Sequence, residues 1–192
     1  MAARFIVVEG CDGTGKTSTA KRLAASCGYT YVKTPPETYA KVRSFFDDPK
    51  RPVLARFHFY CAGLQEAAIS IRKMLHNNID IVADRYALTT QIYHELLTGQ
   101  DLSREMEQLD LPQPDITFIM QAPLPILLDR IRSREPDTDK YYERNFLFLD
   151  KVNQAFTATV GLGIHHVDTS QANLDDITRY CAKRATDSRA YT

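Results

Sequence analysis

Eight consecutive residues, Gly10-Cys11-Asp12-Gly13-Thr14-Gly15-Lys16-Thr17, fit the spacing GxxxxGK(S/T), a pattern with a defined physical use. Glycines let the backbone curl until successive N–H groups converge on phosphate oxygens, and the N-terminus of a following helix adds partial positive charge. On this reading Gly10, Gly13, Thr14, Gly15, Lys16, Thr17 and the adjoining Ser18 form an ATP-binding loop. Lys16 is expected to bridge the β- and γ-phosphates, and the Thr17 hydroxyl to ligate Mg²⁺.

A second anion grip is expected at Asp84-Arg85-Tyr86. Asp84 supplies the acidic residue of the metal shell, and Arg85 offers a planar fork suited to phosphate. Arg85, Thr89 and Tyr93 recur at i, i+4 and i+8. A helix after the strand therefore puts them in one row, able to meet phosphate, sugar and the sugar's 2′ edge in turn. Thr90 joins Thr89 among the expected acceptor contacts.

Arg130, Arg132 and Arg134 crowd the end of a helix predicted over Pro123–Arg134. Such like charges repel by about a few tenths of a kcal/mol per pair, and Arg130 and Arg134 share a face. An anion would offset this. The expected one is the charge developing on a transferred phosphoryl group, met by a lid over residues 132–143 that closes through the polar run Glu135–Lys140.

A GTPase would need a guanine-reading NKxD-type segment after a later strand, and the chain has none. A motor ordinarily needs a longer chain. Small-molecule kinases remain in front.

The elements that must position these residues read as strands alternating with helices. Arg4–Glu9, Tyr29–Lys33, Asp80–Asp84, Asp115–Met120 and Ile164–Val167 are predicted strands, and Thr17–Cys27 a helix. Leu54, Phe57, Cys61, Leu64, Ala68, Ile71 and Leu75 are spaced by three and four, one buried stripe of a long helix. Tyr142, Phe146, Leu149, Val152, Phe156 and Val160 form a second stripe. The pattern predicts an α/β, P-loop-type three-layer fold, a five-stranded parallel sheet covered by helices on both faces, with ligands beyond the carboxyl ends of the strands.

The 192 residues, 44% of them hydrophobic, suffice for one domain over 1–192 with a sizeable core. Lysine plus arginine and aspartate plus glutamate balance at 24 each, so no long-range field is built in for a nucleic-acid polymer or an anionic membrane. No apolar run approaches the roughly 18 residues of a membrane helix. Cys11, Cys27, Cys61 and Cys181 are scattered, without CxxC spacing, behind an N-terminus too briefly apolar for export. A reduced, cytoplasmic compartment is expected.

FIVVEGCDGTGKTST together with DRYALTTQIYH closely resembles the thymidylate kinase family of nucleoside monophosphate kinases, typified by EGxDGxGK(S/T)T and DRYxxSxxAYQ. The residues that carry the resemblance are Glu9, Gly10, Asp12, Gly13, Gly15, Lys16, Thr17, Asp84, Arg85, Tyr86 and Tyr93. It extends through RIRSRE and FLDKVNQAF to HHVDTS, most of the chain. It implies ATP-dependent phosphorylation of a deoxynucleoside monophosphate, dTMP foremost, with Arg85 on the acceptor phosphate and Asp12 between acceptor and magnesium. Tyr93 would crowd the 2′ position, and Phe59, off the core stripe of its helix, would stack on the base. The phosphate loop lacks an arginine between Gly10 and Lys16, an arrangement that in the family goes with a catalytic arginine in the lid. Lys16, Asp12, Arg85, Arg130 and Arg134 are thus the expected catalytic set. Homodimers through the long striped helix are common in the family.

The chain also departs from the pattern. Gly63 stands where an arginine four beyond the stacking aromatic would read thymine, which leaves the base open and suggests extra room there. Lys33-Thr34-Pro35-Pro36-Glu37-Thr38 replaces REPGGT, with Lys33 standing in for a phosphate-binding arginine. Glu37 and the FHFY run are also reminiscent of deoxynucleoside kinases, which need a carboxylate base for a bare 5′-hydroxyl. Against that, Tyr86 stands where those enzymes usually have serine. A nucleotide-binding module without turnover is the third reading.

Overall fold

Strand β1 (Phe5–Gly10) is buried along its whole length, and its side chains divide by parity between the two faces of a sheet. Ile6 and Val8 join one core cluster, Phe5 and Val7 another. β1 pairs in parallel with β3 (Ile81–Asp84) on one side and β4 (Ile116–Gln121) on the other. β2 (Thr30–Lys33) extends the sheet past β3, and β5 (Ile164–Asp168) past β4, in the order β2-β3-β1-β4-β5. Each predicted strand falls within one residue of the observed one. The computed structural model that shows this describes residues 3–133 and 145–187.

One face of the sheet is covered by α1 (Lys16–Cys27) and α8 (Leu174–Asp187), where Leu23, Ile177 and Cys181 pack on Ile6, Val82 and Phe118. The other is covered by α3 (Val53–His76), α4 (Ala87–Thr98), the short α5 (Ser103–Glu107), α6 (Leu124–Arg132) and α7 (Phe146–Ala158). Each fully buried Leu, Ile or Phe contributes roughly 1.5–3 kcal/mol, so both layers clamp the strand ends on which the site depends.

Phe57, Cys61, Leu64, Ala68 and Ile71 of α3 are buried, as their spacing predicts, whereas Leu54 in the first turn is exposed. In α7, Leu149, Val152 and Phe156 are buried, while Phe146 at the helix start and Val160 beyond its end are exposed. Tyr142 lies outside the described residues.

A short turn (Glu37–Tyr39) and α2 (Ala40–Asp47) lie across α3. Gly63 permits that approach: a β-carbon there would stand 2.6 Å from Pro35 Cβ and 3.3 Å from the Tyr39 ring. The parallel direction of the strands brings Gly10, Lys33 and Asp84 to one sheet edge, with Lys33 opposite Asp84 across the β2–β3 pair. No helix among the described residues is long and apolar enough to cross a membrane.

Candidate active site

A cleft of about 460 Å³ opens beyond the carboxyl ends of β1, β2 and β3, floored by the phosphate loop and walled by α2, α3 and α4. The loop conforms to its glycines. Gly10 has φ 134 and sits where a β-carbon would strike the Met120 carbonyl, and Gly15 has φ 86. Both require a residue without a side chain. Thr14 braces the turn from inside, its hydroxyl donating to the Cys11 carbonyl at 2.7 Å. Thr17 and Ser18 are exposed and line the cleft.

Lys16 Nζ donates to the Cys11 carbonyl at 2.6 Å and lies 3.6 Å from Asp12 Oδ1. Burial, then the nearby Arg85 charge, holds its pKa down to about 8. Asp12 is the shared partner of this end of the cleft. Its Oδ1 also accepts from Arg85 Nη2, and its Oδ2 accepts from the Tyr93 hydroxyl at 2.7 Å. The two expected anion grips, Lys16 and Arg85, therefore converge on one carboxylate within one open cleft.

Arg85 adopts φ 67, a left-handed conformation that costs a non-glycine residue on the order of 1 kcal/mol. Its backbone is fixed on both sides. The N–H donates to Val8 O at 3.0 Å, and the carbonyl accepts the Thr34 hydroxyl at 2.8 Å. The same step launches α4, whose first turn is capped from another element. The buried Glu9 carboxylate accepts the N–H groups of Tyr86, at 2.8 Å, and Thr89, at 3.2 Å, and the Thr89 hydroxyl as well. Burial pushes the Glu9 pKa up. Thr89 lines the cleft with its hydroxyl already committed to Glu9, Thr90 is buried at the wall, and Lys33 lies at the rim.

The residues expected to hold Mg²⁺ stand together. Thr17 donates to Asp84 Oδ2 at 2.7 Å and the Tyr31 hydroxyl donates to the same oxygen at 3.0 Å. Asp84 Oδ1 is buried and has no hydrogen-bond partner among the described residues. A buried carboxylate oxygen left over beside a threonine hydroxyl suits a hard cation that takes few protein ligands and keeps its own water or phosphate.

Four expectations need correction or restriction. Phe59 does not line the cleft: it is buried, stacked on Phe46 at 4.5 Å and packed on Tyr39 at 5.3 Å, because α2 and the turn before it cover that side of α3. Gly63 likewise leaves no extra room, Pro35 and Tyr39 filling it. The cleft instead meets Arg56, Tyr60 and Leu64, the stripe one residue on from the pair 59 and 63. Arg130 does not face the cleft. Its guanidinium donates to the Thr169 hydroxyl at 2.9 Å and the Thr169 carbonyl at 2.6 Å, clamping the loop after β5 beside the phosphate loop. Arg134 lies outside the described residues, as does nearly all of the expected lid.

Other groups carried no assigned role in sequence. Arg43 Nε donates to Asp47 at 2.8 Å and to the Tyr60 hydroxyl at 3.1 Å, a tethered cation on the cleft wall. Arg56 and His94 meet across α3 and α4. A second depression of about 350 Å³ shares Gly13, Gly15 and Ser18 with the cleft and continues past Arg130 and Thr169 to Leu174. Glu37 is exposed and absent from the cleft.

The thymidylate kinase family model matches residues 8–179. The chain is 26% identical over 150 residues to a probable thymidylate kinase of Metallosphaera sedula, covering 74% of this chain and 73% of that protein. It is 25% identical over 152 residues to a deoxyguanosine kinase of Bacillus subtilis, covering 76% and 73%. Among solved structures, a thymidylate kinase of Candida albicans superposes with a TM-score of 0.79 at 20% identity, over 100% of this chain and 94% of that one.

Proposed function

The chain belongs to the thymidylate kinase family and is a nucleotide kinase, and from that premise we propose that it moves the γ-phosphoryl group of ATP onto a deoxynucleoside monophosphate, dTMP foremost. The observation that carries the reading is the convergence of Lys16 and Arg85 on Asp12. Two cations that share a carboxylate are spaced to take a donor phosphate on one side and an acceptor phosphate on the other. The two depressions meeting at Gly13, Gly15 and Ser18 support the same division, the donor's nucleoside end lying past Thr169 and the acceptor in the main cleft.

In the reaction an acceptor phosphate oxygen forms a bond to the γ-phosphorus, the bond to the bridging oxygen breaks, and ADP leaves. A phosphate dianion has no proton to lose, so the site needs positioning and charge neutralisation more than a base. Lys16 binds the donor phosphates, Arg85 orients the acceptor, and Asp12 would stand between the acceptor and magnesium. Asp84 and Thr17 would hold Mg²⁺, which when bound neutralises charge on the β- and γ-oxygens. The lid over 132–143, with Arg134, completes the proposal as the further source of positive charge, since Arg130 is engaged with Thr169.

The similarity to a deoxyguanosine kinase favours a second reading, phosphorylation of a bare 5′-hydroxyl. The exposure of Glu37 argues against it: the carboxylates of the cleft are Asp12, Asp47 and Asp84, each bound to a cation or a hydroxyl. A coupled assay with ATP–Mg²⁺ against matched nucleosides and monophosphates decides. Turnover of monophosphates is expected, and turnover confined to bare nucleosides overturns the proposal.

A further inference from the structure

We infer that Tyr31 is a positioning residue of the cation site: its hydroxyl occupies Asp84 Oδ2, the carboxylate offers Oδ1 alone, and the site thereby takes Mg²⁺ in preference to Ca²⁺. The inference rests on the ATP–Mg²⁺ reading of this site and deepens it.

Sheet parity brings the phenol to this carboxylate. In the parallel β2–β3 pair Tyr31 stands opposite Val82, and Val82 and Asp84, two residues apart, share one face of the sheet. That is the face covered by α1: Val82 belongs to its core cluster, and the Tyr31 ring packs against the same cluster. Thr17 and Lys21, one turn apart on α1, approach from that side. Thr17 donates its hydroxyl to Asp84 Oδ2 at 2.7 Å, and the Lys21 ammonium stands 5.7 Å from the centre of the Tyr31 ring. The ring is thus held by its strand, by the core beneath it and by a cation over its face. From there its hydroxyl donates to the same Oδ2 at 3.0 Å.

An ionised carboxylate only accepts, through about two lone pairs on each oxygen. Thr17 alone would leave Oδ2 half open, and Tyr31 closes it. Two donors on one oxygen also fix the plane of the carboxylate, whose terminal torsion is otherwise soft. Asp84 is 1% exposed, and its Oδ1 has no hydrogen-bond partner among the described residues, so that oxygen is the one left for a cation. A single carboxylate oxygen suits Mg²⁺, which takes few protein ligands and fills an octahedron with water and phosphate, whereas Ca²⁺ takes about six to eight oxygens and gains from a carboxylate that gives both of its own.

The test is equilibrium binding of β,γ-imido-ATP, which is not turned over, in Mg²⁺ and in Ca²⁺ with no acceptor present. The parent protein is expected to bind it more tightly in Mg²⁺. Tyr31→Phe keeps the ring and its packing and removes only the donor. The ratio of the two dissociation constants should then shrink roughly 3- to 10-fold, chiefly through tighter binding in Ca²⁺. A merely structural role for Tyr31 would weaken binding in both salts alike. That outcome, an unmoved ratio, or a parent that takes both salts equally overturns the inference. A parent that binds the analogue in neither salt sinks the proposed function together with it, whereas an unmoved ratio on intact binding sinks the inference alone.

Discussion

The hydroxyl of Thr17, in the first turn of α1, donates to Asp84 Oδ2 at the end of β3 over 2.7 Å, while Asp84 Oδ1 is buried with no hydrogen bond among the described residues. An unsatisfied buried oxygen of this kind costs about 1–3 kcal/mol or more when charged. A cation held there, as proposed, would offset that cost. Asp84→Asn keeps the shape and the Thr17 acceptor but removes the charge. Phosphoryl transfer is expected to fall about 100-fold or more, and the rise in melting temperature that Mg²⁺–ATP gives the parent should shrink. An Asp84→Asn protein with near-parental transfer would remove Asp84 from the metal shell.

Lys16 supplies a pH test. Its pKa in the fold is lowered from 10.5 to about 8, by burial first and Arg85 second. A depressed lysine binds its proton less well folded than unfolded, so stability from this group rises with pH between about 8 and 10.5. A bound polyphosphate reverses the preference and draws the proton back. ATP affinity should therefore hold below about 8 and weaken as pH rises through that value, with net proton uptake on binding in the same window. Calorimetry in two buffers of different ionisation heat measures the uptake directly. Binding without uptake there would mean that Lys16 does not meet the phosphates.

The sheet and the phosphate loop were legible in sequence because each rests on a local rule: parity for the strands, glycine spacing for Gly10–Thr17, three-and-four spacing for α3. What was illegible depends on which side of a helix a neighbour covers. Phe59 and Tyr60 are adjacent aromatics of similar apolar weight, and only the arrival of α2 decides that Phe59 stacks on Phe46 while Tyr60 faces the cleft. Glu9 had a signal that carried no role, an acid ending an otherwise apolar strand. Its meaning, capping α4 some 80 positions away, is tertiary. Arg130 shows that a single charge at a helix end can serve as a loop clamp.

Phe59 and Tyr60 should separate stability from binding. Phe59→Ala removes a buried ring and is expected to cost about 3–5 kcal/mol of unfolding free energy. Tyr60→Phe keeps the ring but releases Asp47 and Arg43, to which the hydroxyl is bonded at 2.9 and 3.1 Å. Its main effect should be a rise in acceptor KM with little change in melting temperature. The opposite pattern would restore Phe59 to the base site.

Gly63→Ala should act through the segment after β2. The new methyl would overlap Pro35 Cβ, and a rigid proline ring cannot step aside as a flexible side-chain end could. Overpacking of this kind costs about 1–3 kcal/mol. Since that segment carries Lys33 and Thr34, acceptor KM should rise with the loss of stability while ATP affinity is kept. A neutral Gly63→Ala would show that the turn over α3 is looser than its packing implies.

Glu9 links the phosphate loop to the acceptor grip, and its substitutions should show that link. Glu9→Ala leaves the N–H groups of Tyr86 and Thr89 without their acceptor, at about 1–3 kcal/mol each. It also frees the backbone turn that aims Arg85. A misplacement of about 1 Å there can lower transfer about 100-fold, expressed as lower kcat and higher acceptor KM. Glu9→Gln keeps one acceptor oxygen for the helix start and should recover most of both. The charge itself has a pH signature. Burial raises the Glu9 pKa from 4.5, so the fold favours the protonated acid, and stability from this group is present in acid and lost as pH rises through the folded pKa. The permanently neutral Glu9→Gln escapes that loss. Its stability relative to the parent should improve from mildly acidic to neutral pH in denaturant titrations, whereas a difference independent of pH would mean that Glu9 holds α4 as an uncharged acid throughout.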